Sequence, residues 1–170
     1  MSTFLWDQVA DCFRHDDGSL PSIRITKLSP HGVSAIYAML RARSRLTEDE
    51  PSKFWSRTLE ADISIDSVPD AAALVAAGQA EAFHFCITGF RVAEVELPVL
   101  GVFVWPDCIE FDYRMGPIWG SVQVSGFFEM LKDCCSLDPA AIVIPAEFDG
   151  PPKPERFVQA WAAYQSQKSH

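Results

Sequence analysis

Two side chains in the segment 83–113 have the chemistry of a general acid–base pair, His84 and Asp112, and a third, Cys86, has that of a nucleophile. If residues 83–88, 100–105 and 108–113 are neighbouring antiparallel strands, His84 and Asp112 flank Gly101 across the middle strand, roughly 9 to 10 Å apart at the strand spacing. That gap leaves room for a small ligand above the glycine. A catalytic pair, however, needs hydrogen-bond reach or one bridging water. Cys86 stands two residues from His84 on the same strand, so the two side chains lie side by side with no third group to orient them, and a buried structural cysteine is expected. Cys134 and Cys135 adjoin near a helix end, where neighbours diverge by about 100°, which excludes a chelate or a redox pair. The chain contains no G-x-S-x-G, phosphate loop, H-E-x-x-H or dinucleotide fingerprint. Its four histidines, His15, His31, His84 and His170, are too scattered for a metal site, and Asp16-Asp17 and Glu48-Asp49-Glu50 read as solvated acidic turns. No catalytic residue, metal or cofactor is therefore assigned, and the expectation is a protein that is not an enzyme.

The elements that must position these groups follow from periodicity. Phe4, Leu5, Val9, Cys12 and Phe13 recur at near-helical spacing behind Ser2 and Thr3, predicting a helix over 3–14 ended by Asp16-Asp17-Gly18. Ile23 and Ile25, extended by Lys27 with Leu28, suggest a short strand. Ser29-Pro30 is a cap and first-turn pair for a helix through about Arg45, with Val33, Ile36, Tyr37 and Leu40 buried. Arg41, Arg43 and Arg45 read as its solvated end. After an acidic break at Thr47 to Pro51, Phe54, Trp55 and Leu59 predict a helix, and Ile63 with Ile65 a small strand. The alanine-rich stretch from Pro69 to Ala77 reads as a short peripheral helix stopped by Gly78, packed through Val68 and Leu74.

From Ala82 to Tyr113 the chain becomes rich in Phe, Val and Ile, with turns around Arg91 to Ala93 and at Pro106-Asp107, which predicts a three-stranded antiparallel meander. Gly116-Pro117 closes the third strand and starts or precedes a helix reaching about Cys135, with Trp119, Val122, Phe127, Met130, Leu131 and Cys134 as candidate core positions. Ala141 to Pro145 is a short strand, Asp149 to Pro154 a connector, and Phe157, Trp161 and Tyr164 anchor a last helix. The whole is one α+β domain over 1–170, an antiparallel sheet of three to five strands with helices mainly on one face.

A two-residue turn at Pro106-Asp107 fixes which side chains share a face. Leu100, Val102, Val104, Ile109, Phe111 and Tyr113, with Phe83, Phe85 and Ile87, form the core face. The other face carries Phe103, Trp105, Glu110 and Asp112, with His84, Cys86, Thr88 and Gly101. Residues 92 to 113 contain Glu94, Glu96, Asp107, Glu110 and Asp112 and no basic residue, so a negative patch is expected. Aromatic side chains beside carboxylates are what a protein-binding surface uses, the rings supplying apolar area and the acids steering a basic partner. The contrasting reading is a sheet face packed under a helix.

The totals agree with a binding role. Acids outnumber bases 23 to 14, a formal charge of −9 that repels phosphate backbones and disfavours nucleic acid. No apolar run approaches the roughly 18 to 20 residues of a membrane span, and Met1 to Arg14 lack the pattern of a signal peptide, so no membrane association and a cytoplasmic location are expected. Five cysteines without a C-x-x-C pair argue for reduced thiols over a disulfide framework or a zinc knuckle.

The stretch Ile109 to Trp119, then Phe127 to Leu131, then Phe157 to Tyr164 ending Ala160-Trp161-Ala162-Ala163-Tyr164, resembles in its layout the bacterial immunity proteins that neutralise polymorphic toxins, including type VI secretion effectors. The resemblance covers about the C-terminal half and is one of organisation. It implies a small acidic domain that binds a cognate toxin with a basic surface and occludes its active site. Phe103, Trp105, Asp107, Glu110 and Asp112 are then the candidate contact residues. The alternative is a small-ligand-binding or enzymatic domain with its pocket over Gly101, lined by His84 and Asp112, and a third reading is a structural subunit that self-associates.

Overall fold

The computed structural model describes residues 3–48 and 52–167. Ser2, Asp49, Glu50, Pro51 and His170, to which the sequence assigns cap, turn or scattered-histidine roles, lie outside them.

The first helix, α1 (Thr3–Val9), runs into a 3₁₀ turn over Ala10–Cys12 and buries Leu5, Val9 and Cys12. Strand β1 (Ser22–Thr26) leads to α2 (Pro30–Ala42), whose Ser29 cap accepts a hydrogen bond from the Gly32 amide and whose buried stripe is the expected Val33, Ile36, Tyr37 and Leu40. Asp138 completes the cap: its carboxylate accepts from the Ser29 amide and hydroxyl, 2.8 Å each, and a side chain at Gly32 would collide with it. The helix ends at Ala42, and Arg45–Leu46 forms a short edge strand, β2. The arginines do more than solvate that end. Arg41 bonds Tyr37 and Asp66, while Arg43 reaches Asp133 at 2.9 Å and stacks over the Phe90 ring, tying α2 to three other segments.

Residues 53–64 are a hairpin of β3 (Lys53–Ser56) and β4 (Ala61–Ser64), where a helix followed by a small strand is expected. Phe54 and Ser56 are buried while Lys53 and Trp55 are exposed, the period of two that a strand imposes, and Glu60 takes the positive φ of the turn. Over so few residues, Phe54, Trp55 and Leu59 suit either period. Helix α3 (Ala71–Ala76), capped by Asp70 and followed by Gly78 at φ +75°, buries Ala71, Ala72 and Val75. It is thus packed against α2 through its small side chains, and Val68 and Leu74, the anchors expected, are only partly buried.

The expected meander forms from β5 (Phe83–Thr88), β8 (Leu100–Trp105) and β9 (Cys108–Tyr113). Between β5 and β8, β6 (Arg91–Val92) and β7 (Val95–Glu96) pair as a separate two-stranded hairpin. Beyond the meander, α4 (Ser121–Ser136), β10 (Ile142–Pro145) and α5 (Pro154–Gln167) complete the chain. The sheet has six antiparallel strands in the order β10-β1-β9-β8-β5-β2, one more than the upper expectation because the two-residue β2 extends its edge. Helices α2 and α4 pack on one face: the Tyr37 ring meets Phe83 and Phe85 at 6.0 and 5.7 Å, and Phe127 meets Phe111 at 6.3 Å. Phe13, Tyr113, Trp119 and Phe127 form an aromatic cluster at one end of this core.

Candidate functional site

The Pro106-Asp107 turn sets the register Leu100↔Tyr113 through Trp105↔Cys108, and β5 pairs β8 from Phe83↔Val104 to Ile87↔Leu100. All nine residues assigned to the core face are buried, whereas His84, Cys86, Thr88, Phe103, Trp105, Glu110 and Asp112 on the opposite face keep partial or full exposure. That face is ordered in rows across the strands. One row runs His84, Phe103, Glu110, Arg24, Ile144; the next runs Cys86, Gly101, Asp112, Ser22.

His84 and Asp112 touch. Their Nε2 and Oδ2 atoms are 2.6 Å apart, because the carboxylate leans diagonally over Gly101 to reach the imidazole two strands away. A Cβ at Gly101 would lie 2.2 and 2.3 Å from the two carboxylate oxygens. The space above Gly101, expected to receive a ligand, is therefore filled by Asp112. Strand spacing alone gives the separation of the backbones and omits the diagonal reach of two side chains that lean toward each other. The close approach also explains the residue: only glycine leaves room for the bridge.

Phe103 and Trp105, two residues apart on β8, stack at 4.7 Å with planes 15° apart, and the His84 ring lies 5.4 Å from Phe103. Arg24 lies over the Trp105 ring, 6.0 Å from its centroid, and its Nε is 3.3 Å from Glu110. The face is thus a continuous track of His84, Phe103, Trp105 and Arg24, edged by carboxylates. Among the described residues the Trp105 indole N–H is buried with no acceptor. Beside the stacked pair lies a recess of about 460 Å³, walled in part by Arg57, Gly78 and Ala82.

The negative patch expected from 92–113 is not a cluster of bare acids. Glu110 pairs with Arg24 from β1, Asp112 with His84, and Glu96 with Arg91 at 3.4 Å. Asp107 stays exposed in the turn, its carbonyl accepting from the Leu28 amide. Arg24 is the member of the face that a reading confined to 82–113 misses. The alternation Ser22-Ile23-Arg24-Ile25-Thr26 carries the signal, since burying Ile23 and Ile25 turns Arg24 to the other side.

Cys86 is half-buried and lines, with Asp112, Thr88 and Val99, an open cleft of about 640 Å³, in place of the buried position expected for it. The other thiols are unreactive by burial. Desolvation pushes Cys108 and Cys135 up to about 11 and Cys12 up to about 12, and holds the fully buried Cys134 well above the ordinary thiol value. Among the described residues no group of three or more His, Cys, Asp or Glu side chains converges to hold a metal ion, and no helix is long and apolar enough to cross a membrane. Chemically the face offers an oriented imidazole–carboxylate pair, a half-exposed aromatic plate and compensated charges. Comparison with protein-family models, curated proteins and solved structures gives no match.

Proposed function

We propose that this protein is a cytoplasmic binding protein without catalytic activity of its own, an immunity protein whose open sheet face docks on a cognate toxin and covers its active site. The observation that carries this reading is the Phe103–Trp105 stack, held half-exposed on a rigid sheet beside a recess of about 460 Å³. Aromatic anchors next to a pocket are where protein interfaces concentrate their energy. An indole N–H buried without an acceptor costs roughly 1–3 kcal/mol. Long-range attraction for a basic partner comes from the net charge of −9, with Asp107 at the tip of the turn. Glu110 and Asp112, already paired, act at close range by offering carboxylate oxygens in a fixed register. A toxin delivered by contact-dependent machinery such as type VI secretion is the class of partner that this layout suits.

The test is co-purification of the tagged chain with the product of the gene immediately upstream. A stoichiometric complex that weakens with salt and is lost in the Phe103→Ala/Trp105→Ala double variant is expected. A complex indifferent to both substitutions would place the interface elsewhere, and no complex would remove the toxin reading.

One observation favours a second reading, a ligand-binding or enzymatic domain: the direct His84–Asp112 contact, which gives the imidazole the fixed orientation that acid–base chemistry uses. Since Asp112 occupies the space over Gly101, the ligand on this reading sits in the adjoining cleft along Cys86 and Val99. A small molecule that co-purifies with the wild-type chain and is lost in Asp112→Asn would support it.

A further inference from the structure

We infer an arginine-binding site on the β3–β4 hairpin, formed by the Trp55 ring between the carboxylates of Asp62 and Glu81, which takes one side chain of a basic segment of a protein partner. Residues 79–81 run alongside β3: the Arg57 amide donates to the Gln79 carbonyl at 2.9 Å, the Glu81 amide to the Trp55 carbonyl at 3.0 Å, and Ser56 faces Ala80. With β4 they make a ribbon of three chain segments with β3 in the middle.

Alternation gives this ribbon a buried side and an open one. Phe54 packs against the Phe83 ring and Ser56 is buried, so Lys53 and Trp55 point outward. In register with Trp55 stand Asp62 on β4 and Glu81 on the other flank, both exposed. The Ile65 amide donates to the Ser52 carbonyl, which makes Trp55 and Asp62 a pair without mutual backbone bonds, the kind whose side chains approach most closely.

Two exposed carboxylates alone are ordinary surface, and the ring between them gives the pair its use. Trp55 is 41% exposed, and no ring or guanidinium of the described residues lies against it. Asp62 and Glu81 have no ion-pair or hydrogen-bond partner among the described residues, whereas Glu110, Glu96, Asp16 and Asp11 each hold a basic side chain. Lys53 and Arg57 flank Trp55 along the chain, roughly 7 Å away by strand rise. Arg57 turns to the Gly78 carbonyl at 3.3 Å. Across the ladder the two carboxylates start about 4.5–5.5 Å from the indole and are the nearer charges.

A bare indole flanked by unpaired carboxylates attracts a cation to its face. A guanidinium suits it better than an ammonium: its plane lies flat on the ring while its N–H edges reach a carboxylate on either side. Glu81 and Arg57 also wall the recess beside Trp105, so the site borders the open sheet face, and a partner docked on that face has Trp55 within its reach. The probe below is a peptide, so its result stands whether or not the product of the upstream gene binds.

The experiment is a nuclear magnetic resonance titration of the full chain with the capped tripeptide Gly-Arg-Gly and with its lysine counterpart, following the indole N–H signals. The Trp55 signal is identified by its loss in Trp55→Ala. That signal is expected to move with the arginine peptide, which binds more tightly than the lysine peptide. Trp55→Ala keeps every charge and should weaken the arginine peptide about three- to five-fold, the scale of one exposed cation–π contact. Trp55→Leu repeats the test should Trp55→Ala disturb the hairpin. Asp62→Asn and Glu81→Gln should each weaken binding, while Glu94→Gln, an equal loss of charge in the β6–β7 turn, should not. Equal affinity for the two peptides, an affinity unmoved by both Trp55 variants, a loss with Glu94→Gln as large as with Glu81→Gln, or movement of the Trp105 signal in place of that of Trp55 would overturn the inference.

Discussion

The two faces of β5, β8 and β9 interleave residue by residue and meet opposite fates. On one, Phe111 and Val102 are at 0% exposure under α2 and α4; on the other, their neighbours Glu110 and Phe103 remain in reach of solvent. Backbone position does not distinguish them, since alternate side chains of one strand differ only in the side to which they point. The difference lies in what each face is built to meet. Apolar side chains of a buried face are satisfied by any well-packed neighbour. The open face instead spends specific geometry, with a glycine to admit a carboxylate bridge, two stacked rings and an arginine brought from another strand.

The largest expected contrast comes from the paired positions themselves. Phe111→Ala should cost about 3–5 kcal/mol, the toll of deleting a buried ring, while Phe103→Ala, which loses half-exposed area and one stacking partner, should cost about 1 kcal/mol. Urea denaturation of both variants measures this, and equal losses would break the distinction between the faces.

Gly101→Ala sharpens it next. A methyl group there displaces Asp112 and should cost about 1–3 kcal/mol by overpacking, although alanine ordinarily suits a strand better than glycine. In the Asp112→Ala background the same change should cost little. A double-mutant cycle showing no coupling between the two positions would contradict the bridge over Gly101.

A carboxylate that serves the fold behaves differently from those on the open face. Asp138 accepts from the Ser29 amide and hydroxyl and from the Ala140 amide, and these bonds hold its carboxyl below the ordinary aspartate value of 3.8. Its folded value is depressed, so its contribution is complete above that ordinary value and is lost as pH falls through the lower, folded one. Asp138→Ala should cost about 0.5–2 kcal/mol at neutral pH, as removal of a helix cap does. The gap between melting curves of the wild type and the variant should begin to close as pH falls below about 4 and vanish only below the depressed, folded value. A constant gap down to lower pH would show that the cap contributes by packing alone.

The smallest stability effect belongs to Glu110→Gln. Its ion pair with Arg24 is part-exposed and is worth about 0–1 kcal/mol. Denaturation should barely register the change, while binding of the partner should weaken.

Much of this architecture is legible in the sequence where one period runs long enough to exclude the other. The tight turn at Pro106-Asp107 fixes the register of β8 and β9, and with it the face of every residue from Leu100 to Tyr113. Ser29-Pro30 marks the start of α2, and the stripe from Val33 to Leu40 is buried as spaced. Phe54 and Trp55 mislead because four residues suit a strand or a helix turn, and the choice is made by the Phe83 ring packing on Phe54. Gly116-Pro117 precedes α4, which begins at Ser121, and the sequence leaves that choice open because the Trp119 indole donating back to the Arg114 carbonyl is a tertiary contact with no local signature. At the site, the members of the open face follow from alternation. Their mutual contacts do not, because the bridge over Gly101 and the Arg24–Glu110 pair join residues far apart in the chain.

The most direct test of the account is the affinity of Trp105→Ala for the purified product of the upstream gene, measured beside its melting temperature. The account predicts a loss of about 30-fold or more, the scale of a hot-spot aromatic, with melting lowered by only a few degrees. Wild-type affinity in a variant that has lost the aromatic plate would contradict the claim that the open face is where this protein meets its partner.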